Sequence, residues 1–196
     1  MVPLALFPLH TVLFPGSFLP LRIFEMRYLD LVRRCLRTDS PFGVCLIRSG
    51  SEVGAAAECF AIGTAARIVD WEPLPGDLLG ITVGGEWRFR VHAQTVAPDG
   101  LLLGEVERLP DEIFAESRSF PLLRDLLTRI LTEHKLAYAR DIHRTREAGW
   151  LGYRLAELLA LPLPVKQRLL EAGSPELRLA MIQSVLGTAG TARSSG

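Results

Sequence analysis

The first 21 residues constrain the fold of this 196-residue chain more than any other segment. They contain no lysine, arginine, aspartate or glutamate, and an uncharged stretch of this length invites interpretation as a membrane-spanning helix. Four prolines interrupt the stretch, however, and each proline inside a helix costs about 3 kcal/mol. A secretion signal would also need a positively charged region before its apolar part. We therefore expect no membrane segment here, and instead predict short buried strands over residues 4–7 and 17–23.

The next hundred residues show short apolar runs that predict a β-rich region. An amphipathic helix is expected over residues 25–37, because its apolar positions fall on one helical stripe. A buried strand is predicted over residues 42–47, and several further short strands come after it. Gly84 and Gly85 separate two strand-like segments and predict a two-residue hairpin turn, since glycine accepts a positive φ. Six or seven short strands with one early helix favour a barrel-like domain over residues 1–110.

Beyond Pro110 the apolar residues recur with a helical period, so residues 111–187 are predicted to form a helical bundle. Three of its helices are expected over residues 122–131, 151–160 and 165–172. The last helix is expected to begin at Ser174, a residue type that caps helix N-termini, and to end at Gly187. Residues 188–196 are small and polar, which is typical of a flexible tail. The predicted fold class is therefore α+β.

Charge and reactive side chains exclude several classes of function. Twenty-two basic residues balance 22 acidic ones, so net charge gives no reason to expect a phosphate-rich partner. Neither of the two lysines follows a glycine, so the sequence lacks the phosphate-binding GxxxxGK[ST] loop. Cys35, Cys45 and Cys59 are never spaced as CxxC and are predicted to be reduced and buried in a cytoplasmic protein. The four histidines lack a metal-binding spacing and no serine lies in a GxSxG turn, so we predict no catalytic site, metal or cofactor.

Four motifs in the first 28 residues give a more specific indication. They are Leu6-Phe7-Pro8-Leu9, Val12-Leu13-Phe14-Pro15-Gly16, Leu19-Pro20-Leu21-Arg22-Ile23-Phe24-Glu25 and Arg27-Tyr28. In this order and spacing they resemble the N-terminal, substrate-binding domain of the ATP-dependent Lon protease, and the Lon-like domain of cereblon is similar. The resemblance extends over about residues 4–186, with support from Leu161-Pro162-Leu163 in the helical half.

The resemblance implies a PUA-like β pseudo-barrel followed by a helical bundle. It also implies a role in recognising protein substrates, which is the role of this domain in the family. Full Lon proteases continue into an ATPase module and a serine–lysine protease domain, and this sequence has no P-loop and no room for either. We therefore expect a stand-alone, non-enzymatic binding module. Its expected partners are unfolded or exposed-apolar polypeptide segments, with a protease or chaperone as a further candidate.

The expected peptide-binding residues lie around the first turn and the early helix. Four apolar side chains there are larger than a turn usually exposes, namely Phe14, Phe18, Leu19 and Met26. Exposed together, they would form the apolar patch that such binding needs, and a free strand edge is the alternative. The other motif residues are interpreted as fold determinants, and the two aromatic ones are each expected to bury area worth about 1.5–3 kcal/mol. These fold determinants are Pro15, Gly16, Pro20, Phe24, Glu25, Arg27 and Tyr28.

Two other functions compete with peptide binding. RNA binding is the main alternative, because other PUA-like folds bind RNA and because Arg88, Arg90 and His92 share one face of a predicted strand. Zero net charge counts against it, and we expect no nucleic-acid partner. A small hydrolase ranks last, since the sequence shows no recognisable set of catalytic residues. A homo-oligomer is compatible with all three functions.

Overall fold

The computed structural model describes residues 1–54, 57–76, 78–110, 116–117, 119–134 and 136–193. The chain divides into two compact units, Met1–Asp111 and Glu112–Gly196. The α+β class expected from the sequence is confirmed, because strands dominate the first unit and helices the second. No helix within the described ranges is long and apolar enough to span a membrane.

The first unit contains one early helix and a set of short and long strands. Its described elements are β1 (Val2–Leu9), β2 (Phe18–Ile23), α1 (Met26–Thr38), β3 (Phe42–Ser49), β4 (Glu58–Cys59), β5 (Ile62–Leu74), β6 (Leu78–Val96) and β7 (Leu102–Arg108).

Five of these strands close into a ring. β1 pairs in parallel with β3 and antiparallel with β7, while β3–β5, β5–β6 and β6–β7 are antiparallel pairs. Within the described residues, β4 extends β3 and β2 adds to β6 outside the ring. Closure satisfies the backbone hydrogen bonds of the ring strands and removes exposed edges. β2 lies outside the ring and, among the described strands, pairs with β6 along one side.

Gly84 and Gly85 lie inside β6 and do not form the hairpin turn that the sequence predicted. A Cβ at Gly85 would lie 2.4 Å from the carbonyl oxygen of Phe14, so glycine is needed there for the close approach of another chain segment. The hairpin between β5 and β6 turns instead near Gly76, whose φ is 78°. Position 85 does require glycine, but the reason is the close contact with Phe14 and not a reversal of the chain.

The barrel core is apolar and lies in two clusters of buried side chains. The larger cluster packs Leu31, Val32 and Cys35 of α1 against β1 and β3. The second cluster lies around Phe89, which is fully buried, together with Leu6. This packing holds α1 against the ring and fixes where the chain between β2 and α1 must run.

The second unit is helical. Its described elements are α2 (Pro121–Glu133), a 3₁₀-helical segment (Ala137–Arg146), α3 (Ala148–Leu158), α4 (Leu163–Glu171) and α5 (Pro175–Arg193). Leu123, Leu127 and Leu131 form the buried face of α2.

The last helix is longer than predicted. It begins as expected, since the Ser174 hydroxyl accepts the N–H of Leu177 at 3.2 Å. The expected end at Gly187 is wrong, because α5 continues to Arg193. Gly187 does not adopt the positive φ of a C-terminal cap, and a glycine inside a helix costs only about 1 kcal/mol. Residues 194–196 lie outside the described part of the chain, so the flexible tail stays a prediction.

Candidate peptide-binding surface

Phe14 lies in the barrel core, contrary to its predicted place on a binding patch. Its side chain is 0% exposed, because the turn that follows it is tied to β6. The Gly16 N–H donates to the Gly85 carbonyl at 2.8 Å, and the Gly85 N–H donates to the Ser17 carbonyl at 2.9 Å. Pro15 and Gly16 form this turn, and Gly16 has a φ of 74°, which favours glycine. Phe14 therefore anchors the turn and is not accessible to a peptide.

Phe18 begins β2 and is 56% exposed. It pairs with Gly84 of β6, whose ideal Cβ would lie 3.6 Å from the Phe18 ring and 3.4 Å from the side chain of Val69 on β5. Phe18 and Val69 therefore flank a position of the sheet that has no side chain of its own. The adjacent Leu19 is half-buried and packs against the core, so it offers less surface than predicted.

Phe24 and Met26 lie near the opposite end of β2. Met26 begins α1 and is 64% exposed. Phe24 is 54% exposed, so the expectation that it buries its ring is wrong. The strand alternation that buries Ile23 turns the next side chain outward. Five strand steps of about 3.3 Å separate Phe18 from Ile23, which splits the predicted patch into two spots about 17 Å apart.

Glu25, Arg27 and Tyr28 hold the start of α1 against the barrel. The Glu25 carbonyl accepts the N–H groups of Tyr28 and Leu29, both at 3.0 Å, and its carboxylate lies 2.9 Å from the Arg27 guanidinium. Arg27 also donates to the Gly100 carbonyl at 2.9 Å and lies 4.7 Å from the centroid of the Tyr28 ring. Burial raises the pKa of the Tyr28 phenol above its ordinary value. These contacts set the direction in which the chain leaves β2.

An open pocket of about 160 Å³ lies beside β2, at the end that carries Phe24. The rings of Phe7 and Tyr28 line it and stack with their centroids 4.0 Å apart. Phe24 and Val53, both more than half exposed, also line it. Since a cavity of about 150 Å³ is enough to hold benzene, this pocket can accept one apolar side chain of a bound peptide. We call it the aromatic pocket.

A second depression of about 360 Å³ lies on the sheet formed by β2, β6 and β5, and we call it the β6 groove. Small residues of β6, Gly80 and Thr82, contribute to it, with larger side chains from the strands on either side. Pro20 of β2 pairs with Thr82, which in turn pairs with Asp70 of β5. Trp71, which is 56% exposed, also lines the groove.

The β5 residues in this groove are absent from the binding residues predicted from the sequence. One signal was available, because Gly80, Thr82 and Gly84 alternate with apolar residues at a spacing of two. That spacing places three small side chains on one face of a strand, a pattern that leaves room for a ligand. The loop residue Val53 of the aromatic pocket gave no comparable signal.

The three cysteines are buried and unbridged, as the sequence predicted for a reduced core. Cys45 and Cys59 are hydrogen-bonded to one another, and this contact together with burial raises the pKa of the Cys45 thiol well above its ordinary value. The described residues contain no group of three or more histidine, cysteine or acidic side chains arranged to hold a metal ion.

The basic strip suggested by Arg88, Arg90 and His92 does not form one positive surface. Arg88 is buried, with 7% of its surface exposed. The Nε2 atom of His92 lies 2.8 Å from the carboxylate of Glu107, which is also the β7 partner of Arg90. Acidic β7 residues therefore accompany the basic residues of β6, and this face lacks the charge excess that RNA binding requires.

Comparison with solved structures places this fold among Lon N-terminal domains. The Lon N-terminal domain protein from Xanthomonas campestris aligns with a TM-score of 0.80 and 38% identity, over 94% of this chain and 98% of that one. The N-terminal domain of the Mycobacterium avium complex Lon protease shares the fold, with a TM-score of 0.70 and 17% identity over 92% of this chain and 96% of that one.

The family model of the ATP-dependent protease La (LON) substrate-binding domain matches residues 3–187, and the chain belongs to this family. Lon protease 2 of Myxococcus xanthus is 27% identical over 185 residues, which is 90% of this chain and 22% of that protein. The Lon protease of Amoebophilus asiaticus is 27% identical over 175 residues, 83% of this chain and 21% of that protein. The chain thus spans about a fifth of the length of these relatives.

Proposed function

We propose that this chain is a non-enzymatic, cytoplasmic module that binds unfolded or exposed-apolar segments of other polypeptides. The observation that carries the proposal is the aromatic pocket, which is open to solvent and has exposed apolar residues at its rim. Phe24 and Val53 line the pocket, and Met26 follows two residues after Phe24. Membership of the substrate-binding family supports the same class of ligand.

The exposed apolar area of this surface supplies part of the binding energy. Fully burying one apolar side chain of this size contributes about 1.5–3 kcal/mol. Because Phe24, Met26 and Val53 are each only 52–64% exposed, covering all three would contribute about 3–5 kcal/mol. A peptide side chain in the pocket would add a similar increment, while association costs at least about 4 kcal/mol. A dissociation constant in the micromolar range, about −8 kcal/mol, therefore needs a further source of binding energy besides these side chains. Nanomolar binding would need more surface than this.

The strand beside the pocket offers a second source of binding energy. β2 pairs with β6, and no other described strand pairs with β2. Residues 20–23 of this strand line the aromatic pocket, so a peptide seated in the pocket would run close to the strand edge. Main-chain hydrogen bonds to such an edge give affinity without sequence preference, and the pocket then selects one side chain. This combination suits a ligand class defined by exposed apolar residues.

The test is the binding of fluorescein-labelled, reduced casein, followed by fluorescence anisotropy at physiological salt. We expect saturable micromolar binding that RNA does not compete away. The double variant Phe24→Ser/Met26→Ser should bind at least tenfold more weakly, because it removes the exposed ring that lines the pocket and the exposed apolar side chain two residues after it. Its melting temperature should stay within about 2 °C of the wild type, since exposed positions contribute little to stability.

A matched control is available in the helical unit. Leu122 and Leu177 are 73% and 51% exposed, so Leu122→Ser/Leu177→Ser removes a comparable apolar surface elsewhere. This control should bind casein like the wild type. Equal binding by the Phe24/Met26 variant, or an equal loss in the control, would contradict the proposed site. Absence of casein binding at high protein concentration would contradict recognition of unfolded chains.

We also propose that this substrate-binding domain does no catalysis itself and presents its ligands to a protease or chaperone. The motive is that the family match accounts for residues 3–187. Labelled casein incubated with the chain and ATP should remain intact on a gel, and ATP should not be hydrolysed. Cleavage or ATP hydrolysis that co-purifies with the chain would overturn this assignment.

A further inference from the structure

The β6 groove and the aromatic pocket share Pro20, Leu21 and Arg22 of β2. The residues of β5 and β6 that line the groove do not line the pocket. We infer that this groove binds the part of a polypeptide ligand that carries a lysine or arginine about four residues away from an apolar residue. The inference rests on the proposed function and specifies which segments the module prefers. It follows from the shape of the groove and from the unequal chemistry of its two ends.

The shape of the groove comes from small side chains on the central strand. Gly80, Thr82 and Gly84 are spaced by two and share one face of β6. A Cβ at Gly80 would lie 3.2 Å from the Glu72 side chain, and one at Gly84 would lie 3.4 Å from that of Val69. Side chains of β5 therefore rise beside these positions. The small residues of β6 form a low floor beside the larger side chains of β5, and an extended chain fits over this floor.

Next to the groove, the same face of the sheet carries an apolar spot around Gly84, and this spot forms the apolar end of the proposed binding face. Phe18 of β2 and Val69 of β5 flank Gly84, and both are more than half exposed. The register explains this arrangement, because Phe18 pairs with Gly84 while an irregularity of β5 between residues 68 and 70 brings Val69 to the same position. An apolar side chain of the ligand placed over Gly84 would contact both walls.

The other end of the groove is acidic. Asp70 pairs with Thr82, and Glu72 pairs with Gly80, so the two carboxylates follow one wall two residues apart. Both residues are exposed, and the described part of the chain gives neither carboxylate an ion pair. Asp70 accepts the N–H of Trp71 at 2.9 Å, which orients its carboxylate. Arg22 on the opposite wall pairs with Gly80 as well, so these three side chains together carry a charge of minus one.

The two ends together define the ligand. Strand residues rise about 3.3 Å each, so Gly84 and Gly80 are about 13 Å apart. An extended segment of four or five residues therefore spans the distance from the apolar end to the acidic end. A segment with an apolar residue and a cationic residue at that spacing satisfies both ends. An acidic residue in place of the cation would face two carboxylates, and this repulsion supplies discrimination.

The test compares three labelled peptides that share one apolar stretch and end in a lysine pair, a glutamine pair or a glutamate pair. We expect the wild type to bind the lysine peptide about fivefold more tightly than the glutamine peptide, the scale of two solvent-exposed ion pairs. The glutamate peptide should bind more weakly than both. The preference should shrink in 0.5 M salt, because the screening length falls well below 8 Å.

The decisive variant is Asp70→Asn/Glu72→Gln, which leaves Arg22 as the one charged side chain of the three. It should lose the preference for the lysine peptide and bind the glutamate peptide at least as tightly as the glutamine peptide, while retaining the affinity of the wild type for the glutamine peptide. The control Glu105→Gln/Glu107→Gln removes two exposed carboxylates at the same spacing on β7 and should keep the lysine preference. Equal binding of all three peptides by the wild type would overturn the inference and leave the proposed function intact. Absence of binding to any peptide would overturn both.

Discussion

The barrel unit and the helical unit bury different kinds of side chain. In the barrel the largest fully buried side chains are apolar, among them Phe14, Phe42 and Phe89. In the helical unit the largest are two arginines, Arg154 and Arg178, which are 1% and 0% exposed. The barrel is secured by a closed ring of backbone hydrogen bonds, whereas the helical unit adds the directional contacts of buried cations to a leucine-rich core. We therefore expect binding and stability to respond to different substitutions in the two units.

Arg178 shows how the helical unit accommodates a buried charge. Its Nε donates to the Leu169 carbonyl at 2.8 Å, which links α5 to α4. Its guanidinium carbon lies 3.9 Å from the centroid of the Tyr153 ring on α3. One side chain thus joins three helices through a hydrogen bond and a cation–π contact, and a desolvated cation–π contact contributes about 2 kcal/mol.

The largest effect is expected from Arg178→Met, which keeps much of the side-chain length but removes the cation. It leaves the Leu169 carbonyl without this donor and removes the contact with Tyr153, so we expect unfolding free energy to fall by about 3 kcal/mol. Urea denaturation monitored by circular dichroism measures the change. The exposed Arg168→Met on α4 is the control and should change stability by less than about 0.5 kcal/mol. Similar losses in both variants would remove the contrast between the units.

The next largest effect is expected in the barrel, from Gly85→Ala compared with Gly84→Ala. The new methyl at position 85 would lie 2.4 Å from the Phe14 carbonyl oxygen, which is main chain and must move. Overpacking of this kind costs about 1–3 kcal/mol. The methyl at position 84 would meet Val69 at 3.4 Å, which is ordinary contact, so Gly84→Ala should cost less than about 0.5 kcal/mol. Thermal unfolding of the two variants measures the difference, and equal melting temperatures would contradict the contact.

The smallest expected effect appears at alkaline pH and has opposite sign in the two units. Burial lowers the pKa of Lys166 in the helical unit below its ordinary 10.5. The folded chain then loses this proton before the unfolded chain does, so the wild type gains stability relative to Lys166→Met as pH rises towards 10.5. Burial raises the pKa of Tyr28 in the barrel above 10.0. The unfolded chain ionises first in that case, so the wild type loses stability relative to Tyr28→Phe as pH rises above 10.

Urea unfolding of the wild type and of both variants between pH 8 and 11 measures these two trends. The difference between the wild type and Lys166→Met should rise with pH, and the difference between the wild type and Tyr28→Phe should fall. Two curves that move in the same direction would show that burial does not act on these groups as described.

Much of the architecture could be predicted from the sequence, because the hydrophobic period within a short segment indicates whether that segment is a helix or a strand. The helix expected over residues 25–37 is observed over Met26–Thr38, and the strand expected over 42–47 is observed over Phe42–Ser49. The Gly84–Gly85 pair misled the prediction because glycine serves both positive φ and close approach. Choosing between these two roles requires knowing that Phe14 packs against Gly85. That contact joins residues about 70 positions apart in the sequence.

The candidate surface was harder to predict than the fold. Phe14, Phe18 and Met26 are large apolar residues in the same stretch of sequence, so the sequence leaves exposure and core burial open for each of them. The structure exposes Phe18 and Met26 and buries Phe14. Whether each of these side chains is buried depends on whether it points into the ring of strands or away from it. The β6 groove brings together strands that are about 50 residues apart, so no local pattern contains both of its walls. Sequence patterns identify faces of single strands, whereas grooves arise from pairing between strands.

Closure of the ring has a consequence for synthesis of the chain. Val2 pairs with Val106, so β1 completes its hydrogen bonds only after β7 has left the ribosome, about a hundred residues later. At about 5–20 residues per second, that interval is on the order of 5–20 s. During it, the apolar β1 has an unpaired edge that other nascent chains can join. The order of strands in the ring therefore sets a period of vulnerability at the ribosome, before the molecule is able to bind anything else.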